Sequence, residues 1–294
     1  MPLQGALTDQ NVCSCTKTGL FNVILTSYIR MAGGLQAPAR TFEASNNQKR
    51  DDEMKKTYLA VAIAAAFAAQ GVVHAQDYQM EAGLSYADFD QAGASDSAIG
   101  LDFTYHIETV STDGRPLAEA AFLGRNSNVS ANYITVDEAD VDSFGLGIEY
   151  WFDDIYTSAE YTDFDGDAEY EVRLGYMLDD GFLVSLGLAD GDEVVDSTIS
   201  IAAKYVAEMG ANFVNLEAEY AVTDDVNVIN LSADYFFTRE FSAGLRISES
   251  DIDGLDTEFG IGARYFFAPT MSVELEYTTQ DEDDTIGLRV AARF

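Results

Sequence analysis

The chain has 294 residues, with 16 Lys and Arg against 51 Asp and Glu, a formal net charge of −35, and 47% hydrophobic residues. So acidic a surface repels nucleic acid and acidic ligands, while an aromatic content of 12%, regularly placed, is too high for a disordered polyanion. Its two cysteines, Cys13 and Cys15, are spaced Cys-x-Cys near the start and support neither a metal site nor a lipid anchor.

In chain order, the first legible element begins at Met54. Met54-Lys55-Lys56-Thr57 is a basic n-region, an uncharged run follows from Tyr58 to Ala69, and Val73-His74-Ala75 sets small residues before Gln76. That is the pattern of a Sec signal peptide over 54–75. Its apolar run of about a dozen residues is too short for a membrane helix, which takes about 20. Residues 1–53 precede a signal that normally opens a chain, and Asp51, Asp52 and Glu53 would spoil its basic flank, so they are read as an N-terminal extension from a mis-called start. Seven of the basic and five of the acidic residues precede Gln76, which leaves nine against 46 in residues 76–294 and a net charge near −37. About 219 residues suffice for one domain.

From Tyr78 onward apolar residues recur at every second position, in runs separated by Asp, Gly, Thr and Ser. Period two predicts strands with one apolar face, and there are fourteen such runs. The first holds Tyr78, Met80, Ala82, Leu84 and Tyr86, the second runs from Ile99 to Ile107, and the third holds Val129, Ala131 and Tyr133. The next six run from Phe144 to Phe152, Ile155 to Tyr161, Tyr170 to Tyr176, Phe182 to Leu188, Ile199 to Tyr205 and Val214 to Tyr220. The last five run from Ile229 to Phe237, Phe241 to Ile247, Phe259 to Phe267, Met271 to Tyr277 and Ile286 to Phe294.

The apolar face of these runs carries no Asp, Glu, Lys or Arg. A lipid-facing surface requires that exclusion, because one Arg or Lys at the bilayer midplane costs roughly 2–4 kcal/mol. A soluble sandwich would turn its apolar face inward and keep it less uniform. The expected fold is therefore all-β: a transmembrane, antiparallel, up-and-down β-barrel of 14 strands over 76–294. Its opposite face should line the lumen, with Glu81, Asp102, Glu149, Glu160, Arg173, Lys204, Glu217, Glu219, Asp234, Arg246, Arg264, Glu274, Glu276 and Arg289. Glycines on that face, among them Gly83, Gly187 and Gly262, would leave room for solvent or relieve curvature.

Even-numbered strands end in Tyr and bulky residues followed by tight turns, as in Tyr150-Trp151-Phe152 before Asp153-Asp154, and Tyr205, Tyr235 and Tyr265 recur one hairpin apart. Connections after odd strands read as longer and acidic. This asymmetry sets the tight turns and an aromatic girdle at the periplasmic side. One periplasmic connection is long, Glu108 to Ser127. Within it Leu117, Ala120 and Ala121 share a helical face, which predicts a short helical turn at or inside the mouth, carried by the segment Pro116, Leu117, Glu119 and Phe122. Fourteen strands about 4.8 Å apart and tilted about 40° give a backbone diameter of roughly 28 Å, which leaves about 10 Å between side chains.

The final strand closes on Phe294, and a terminal aromatic on an alternating strand looks like the signal read by the outer-membrane assembly machinery. With these residues in view, 76–294 resembles the bacterial porins, and more narrowly a little-characterised proteobacterial porin group. The most specific similarity is the segment from Pro116 to Leu123 followed by Asn128-Val129-Ser130. The resemblance implies passive diffusion of small hydrophilic solutes or ions across the cell outer membrane, with no cofactor. Lipid and lipopolysaccharide are the implied surroundings. The chain departs from trimeric general porins, which have sixteen strands and an inward extracellular loop.

Two alternatives set this reading its tests. A closed structural or adhesive barrel would have the same pattern without an open lumen. An outer-membrane hydrolase would need a base, and His106, the one histidine after residue 75, has no Ser or Cys nucleophile recognisable near it in sequence, so no catalytic residues are assigned. Acidic stretches such as Asp163-Phe164-Asp165-Gly166-Asp167 lack the twelve-residue ligand spacing of a calcium loop, so no metal site is assigned. Carboxylates outnumber bases on the lumen register about two to one, which predicts a preference for cations.

Overall fold

The computed structural model describes residues 77–294 apart from 92–93, 138, 140, 192–196, 224–225 and 253–254; the expected extension and signal segment fall outside the described residues. Fourteen strands form: β1 (Tyr78–Gln91), β2 (Ala94–Val110), β3 (Asn128–Val136), β4 (Val141–Phe152), β5 (Ile155–Phe164), β6 (Asp167–Asp179) and β7 (Phe182–Gly191). They continue as β8 (Thr198–Met209), β9 (Asn212–Val222), β10 (Asn227–Phe236), β11 (Phe241–Ser250), β12 (Glu258–Ala268), β13 (Met271–Gln280) and β14 (Asp283–Arg293). Each pairs antiparallel with its sequence neighbours, and β1 pairs with β14, so the sheet closes on itself and leaves no edge strand.

Closure is finished at the last residue. The Phe294 backbone N–H donates to the Met80 carbonyl at 2.9 Å, and its carbonyl accepts from Gln79 at 2.7 Å and Met80 at 3.0 Å. Alternation follows the expected register: Leu101, Leu146, Leu174, Leu186, Ile201, Leu231, Ile261 and Leu288 are exposed on the outside, while the charged partners at intervening positions turn inward. Such a skin is stable only against hydrocarbon, since exposed apolar area of this extent is costly in water.

Three features differ from the sequence expectation. Tyr78 does not face lipid; a register shift between Tyr78 and Met80 turns it inward, where it is buried. Two steps along β1 there match five along β2, from Val110 to Tyr105, and apolar spacing alone carries no trace of such an irregularity. Strands also run further at the end away from Phe294: β1 ends at Gln91 rather than near Tyr86, and β2 begins at Ala94. Beyond the lipid the burial preference reverses, so Asp88 and Asp90 face outward while Ala87, Phe89, Ala98, Ile134 and Val136 pack together on the inner face. Finally, connections after odd strands are not uniformly long. Residues 165–166 and 281–282 are two-residue turns, and Asp163, Asp283 and Asp284 lie within strands. Asp165 (φ 50°) and Gly166 (φ 96°) both take left-handed conformations, which is the backbone a tight hairpin needs.

Candidate functional site: the barrel interior

An internal cavity of about 490 Å³ occupies the barrel. It is lined by Glu81, Asp102, Glu149, Glu160, Arg173, Lys204, Glu217, Asp234, Arg246, Arg264, Glu274, Glu276 and Arg289, the residues expected on the inner face. Glu219, the remaining one of that set, is buried in the wall beside Arg173. Arg293 also lines the cavity. All six basic side chains here make ion pairs, and Lys204, Arg264 and Arg293 each pair with a carboxylate on the adjacent strand.

Arg264 pairs with Glu274 on the next strand through two nearly equal hydrogen bonds, both 2.9 Å, the fork geometry that a guanidinium offers a carboxylate. Other bases cross intervening strands. Arg289 on β14 reaches over β1 to Asp102 on β2, at 2.6 Å, and also donates to Glu81 at 2.9 Å. Arg246 on β11 lies 3.4 Å from Glu276 on β13, with β12 between them, and 4.0 Å from Asp234 on β10. Arg173 on β6 pairs with Glu171 beside it and extends past β7 and β8 to Glu219 on β9, at 2.5 Å. Glycines make the crossings sterically open. A Cβ on Gly83 would meet Asp102 and Arg289, one on Gly187 would come within 3.3 Å of the Arg173 guanidinium carbon, and one on Gly262 within 3.1 Å of Arg246. These glycines therefore serve the arginines above them rather than leaving vacant space.

The connection between β2 and β3 folds into the mouth at the end that carries Tyr78 and Phe294. It contains the expected helical turn, as a 3₁₀ turn Leu117–Glu119 followed by one α-turn, Ala120–Leu123. Its start is tied to the β10–β11 turn: Leu117 donates its backbone N–H to the Arg239 carbonyl at 2.9 Å, and Arg239 donates to the carbonyls of Arg115, at 2.8 Å, and Thr112. Its end is tied to the far side, where Arg125 lies 3.1 Å from both Asp154 and Asp180 on the β4–β5 and β6–β7 turns. The segment is thus a bar across the mouth. Pro116 and Leu117 are buried, Arg293 donates to the Leu117 carbonyl at 2.8 Å, and Glu119 pairs with Lys204 at 2.9 Å, which also pairs with Glu217. Phe122 packs edge-on to Trp151, 6.3 Å between ring centres, in a cluster with Tyr156, Met177 and Leu183. Its face lies 4.9 Å from the Lys204 ammonium.

Sequence reasoning did not anticipate these partners. Trp151 stood in an aromatic run, yet strict alternation places it inward between exposed Tyr150 and Phe152. Tyr78 and Phe266 both lie against the Arg293 guanidinium, at 4.4 Å each, a favourable arrangement for a cation over aromatic faces. His106 is buried and packs edge-on to Tyr78 at 5.4 Å, so its surroundings are those of a packed interior side chain. Side chains of the bar, among them Glu119 and Phe122, line this cavity together with those of the barrel wall. At the opposite end, Asp251 accepts hydrogen bonds from the backbone and side-chain nitrogens of Asn227, at 2.7 and 2.5 Å, which hold its carboxyl below the usual range and keep it charged. Among the described residues, no group of three or more His, Cys, Asp or Glu is arranged to hold a metal ion.

A family model and the structure of an Acinetobacter baumannii protein agree with this architecture. The family model of Gram-negative porins matches residues 76–285. The crystal structure of the outer membrane protein Omp33 of Acinetobacter baumannii is 27% identical, with a TM-score of 0.67 over 74% of this chain and 99% of that one. A mutant of the Rh. blastica porin is 13% identical with a TM-score of 0.44, again over 74% of this chain and 99% of that one. No curated protein sequence matches.

Proposed function

The chain belongs to the Gram-negative porin family, and we propose that its chamber is a passive channel that favours small cations over anions. Family and fold support an outer-membrane channel rather than an enzyme. The observation that carries the cation preference is the charge of the wall. Among the described residues ten carboxylates and six basic side chains line the cavity, and each of the six bases is engaged by a carboxylate. Four carboxylates are left in excess, within a low-dielectric enclosure where fixed charge acts strongly on a passing ion. Export through the 54–75 segment and insertion guided by Phe294 complete the reading, with lipopolysaccharide around the outer rim.

Reversal potentials in a KCl gradient across a planar bilayer test it. With a screening length of about 10 Å at 0.1 M salt, the preference for K⁺ should be clear there and fade toward 1 M. An anion preference at low salt overturns it. A second reading, a barrel shut at rest, is favoured by the bar that joins opposite sides of the mouth. It expects a silent folded protein that conducts once Leu117–Leu123 is deleted.

A further inference from the structure

The seam where β14 meets β1 is not complete in itself. Its pairing begins with Glu81 opposite Arg293, and three contacts at that end leave the seam for the bar. Arg293, 8% exposed, donates from Nε to Glu81 at 2.6 Å and from Nη1 to the Leu117 carbonyl at 2.8 Å. Tyr78, turned inward by the irregular step in β1, is buried in one cluster with Val110 and Ala120, and Ala121 packs against it. Asp77 accepts a longer hydrogen bond from the Thr112 backbone N–H, at 3.4 Å. The ring centres of Tyr78 and Phe266 each lie 4.4 Å from the Arg293 guanidinium carbon and fix its position.

We infer that the bar and the seam are coupled through Arg293, a positioning residue: the bar stays across the mouth while β14 is seated on β1, and a seated bar in turn holds the seam. The coupling goes beyond the channel reading and does not depend on what the chamber passes. It follows from how a buried guanidinium is satisfied, since a donor left without an acceptor away from water is costly. Strand pairing supplies Glu81 and the bar supplies the Leu117 carbonyl, so the loss of either strands part of Arg293. Leu117 is itself a junction. Its N–H is donated to the Arg239 carbonyl in the β10–β11 turn at 2.9 Å, so a shift at that tie moves the carbonyl that Arg293 needs. Departure of the bar would also uncover Tyr78 and Val110, which are 5% and 0% exposed, and open apolar surface to water. By linkage, each opening favours the other by the same factor.

Hydrogen exchange of the folded protein in detergent micelles, read by mass, tests this, because amide protection reports local opening. Glu81→Gln weakens the seam at its ion pair with Arg293, and Arg239→Ala loosens the bar at its tie to the β10–β11 turn. Each variant is expected to speed exchange at least about fivefold in residues 77–84 of the seam and in residues 112–120 of the bar alike, while residues 160–170, at the other end of the barrel, change less than about twofold. Arg293→Lys keeps a positive charge beside Glu81 but offers one ammonium in place of a fork, so the same paired rise is expected of it. It replaces Glu81→Gln if the latter lacks the folded gel position. A rise confined to each variant's own region overturns the coupling. So does an equal rise in residues 160–170, which is general loosening. The amides report equally on a barrel that conducts and on one that is silent, so failure of the channel reading leaves this result standing.

Discussion

Gly83→Ala isolates the dependence of one ion-pair strap on a missing side chain. The added methyl would stand 2.6 Å from Asp102 Oδ2 and 2.7 Å from Arg289 Nε, so the Arg289–Asp102 bridge must move. Both partners are mostly buried, with side-chain exposures of 14% and 15%, and Arg289 also holds Glu81. Breaking a buried pair costs about 3–5 kcal/mol when one partner is stranded. The strap can relax in part, and Ala in a strand recovers roughly 0.5–1 kcal/mol of backbone entropy relative to Gly. A net loss of about 2–4 kcal/mol is therefore expected. Gly262→Ala is the matched control: its methyl would approach the end of the flexible Arg246 side chain at 3.1 Å and the Leu275 carbonyl at an ordinary 3.6 Å, so a loss below about 1 kcal/mol is expected. Denaturant unfolding of the refolded protein in lipid vesicles measures both, with Trp151, the single tryptophan, as reporter. A Gly83→Ala protein as stable as Gly262→Ala would refute the strap argument.

Because the barrel has no free edge, the folded protein should resist SDS and migrate differently from a boiled sample; identical migration, with solubility in the absence of detergent, would count against a membrane barrel. Phe122→Ala should shift Trp151 emission to the red and cost about 1–3 kcal/mol, below the full value for a buried ring because Phe122 is only partly buried. If the bar limits flow, the same variant should raise conductance; unchanged emission and conductance together would show that Phe122 does not seat the bar. Arg239→Ala removes the donor to the Thr112 and Arg115 carbonyls and should speed limited proteolysis between Ser111 and Ser127 in the intact barrel, whereas equal digestion rates would mean that the remaining ties suffice.

Strand number, closure and the inward register were legible because lipid imposes a rule with few exceptions: in the membrane band an apolar residue at every second position must face out, and a charge there must face in. The rule stops where lipid stops. Phe89 and Val136 are apolar yet face inward, and Asp88 is acidic yet faces outward, because that stretch of β1–β3 stands beyond the band. Tyr78 escaped for a different reason, an irregular step in the β1–β2 pairing that leaves no mark in composition.

Pairing inside the lumen was the least legible layer. Alternation places Arg246 and Glu276 on the inner face but cannot say that they meet across β12, where the intervening residue is Gly262. A signal for it does exist in the register. Gly83 stands opposite Asp102, Gly187 opposite Arg173 and Gly262 opposite Glu276, so in each case a glycine is the cross-strand neighbour of a strapped charge. A cross-strand neighbour is normally the side chain that competes for the space above its partner. Replacing it by hydrogen lets the charged group lie flat over the sheet and reach beyond the adjacent strand. Glycine opposite a charge on an inward face is thus a sequence-level mark of a pair that skips a strand. Gly147 opposite Glu160 has the same arrangement, but β3–β5 carry no Lys or Arg that could lie over the glycine, so the mark needs a base on a nearby strand as well as the missing side chain.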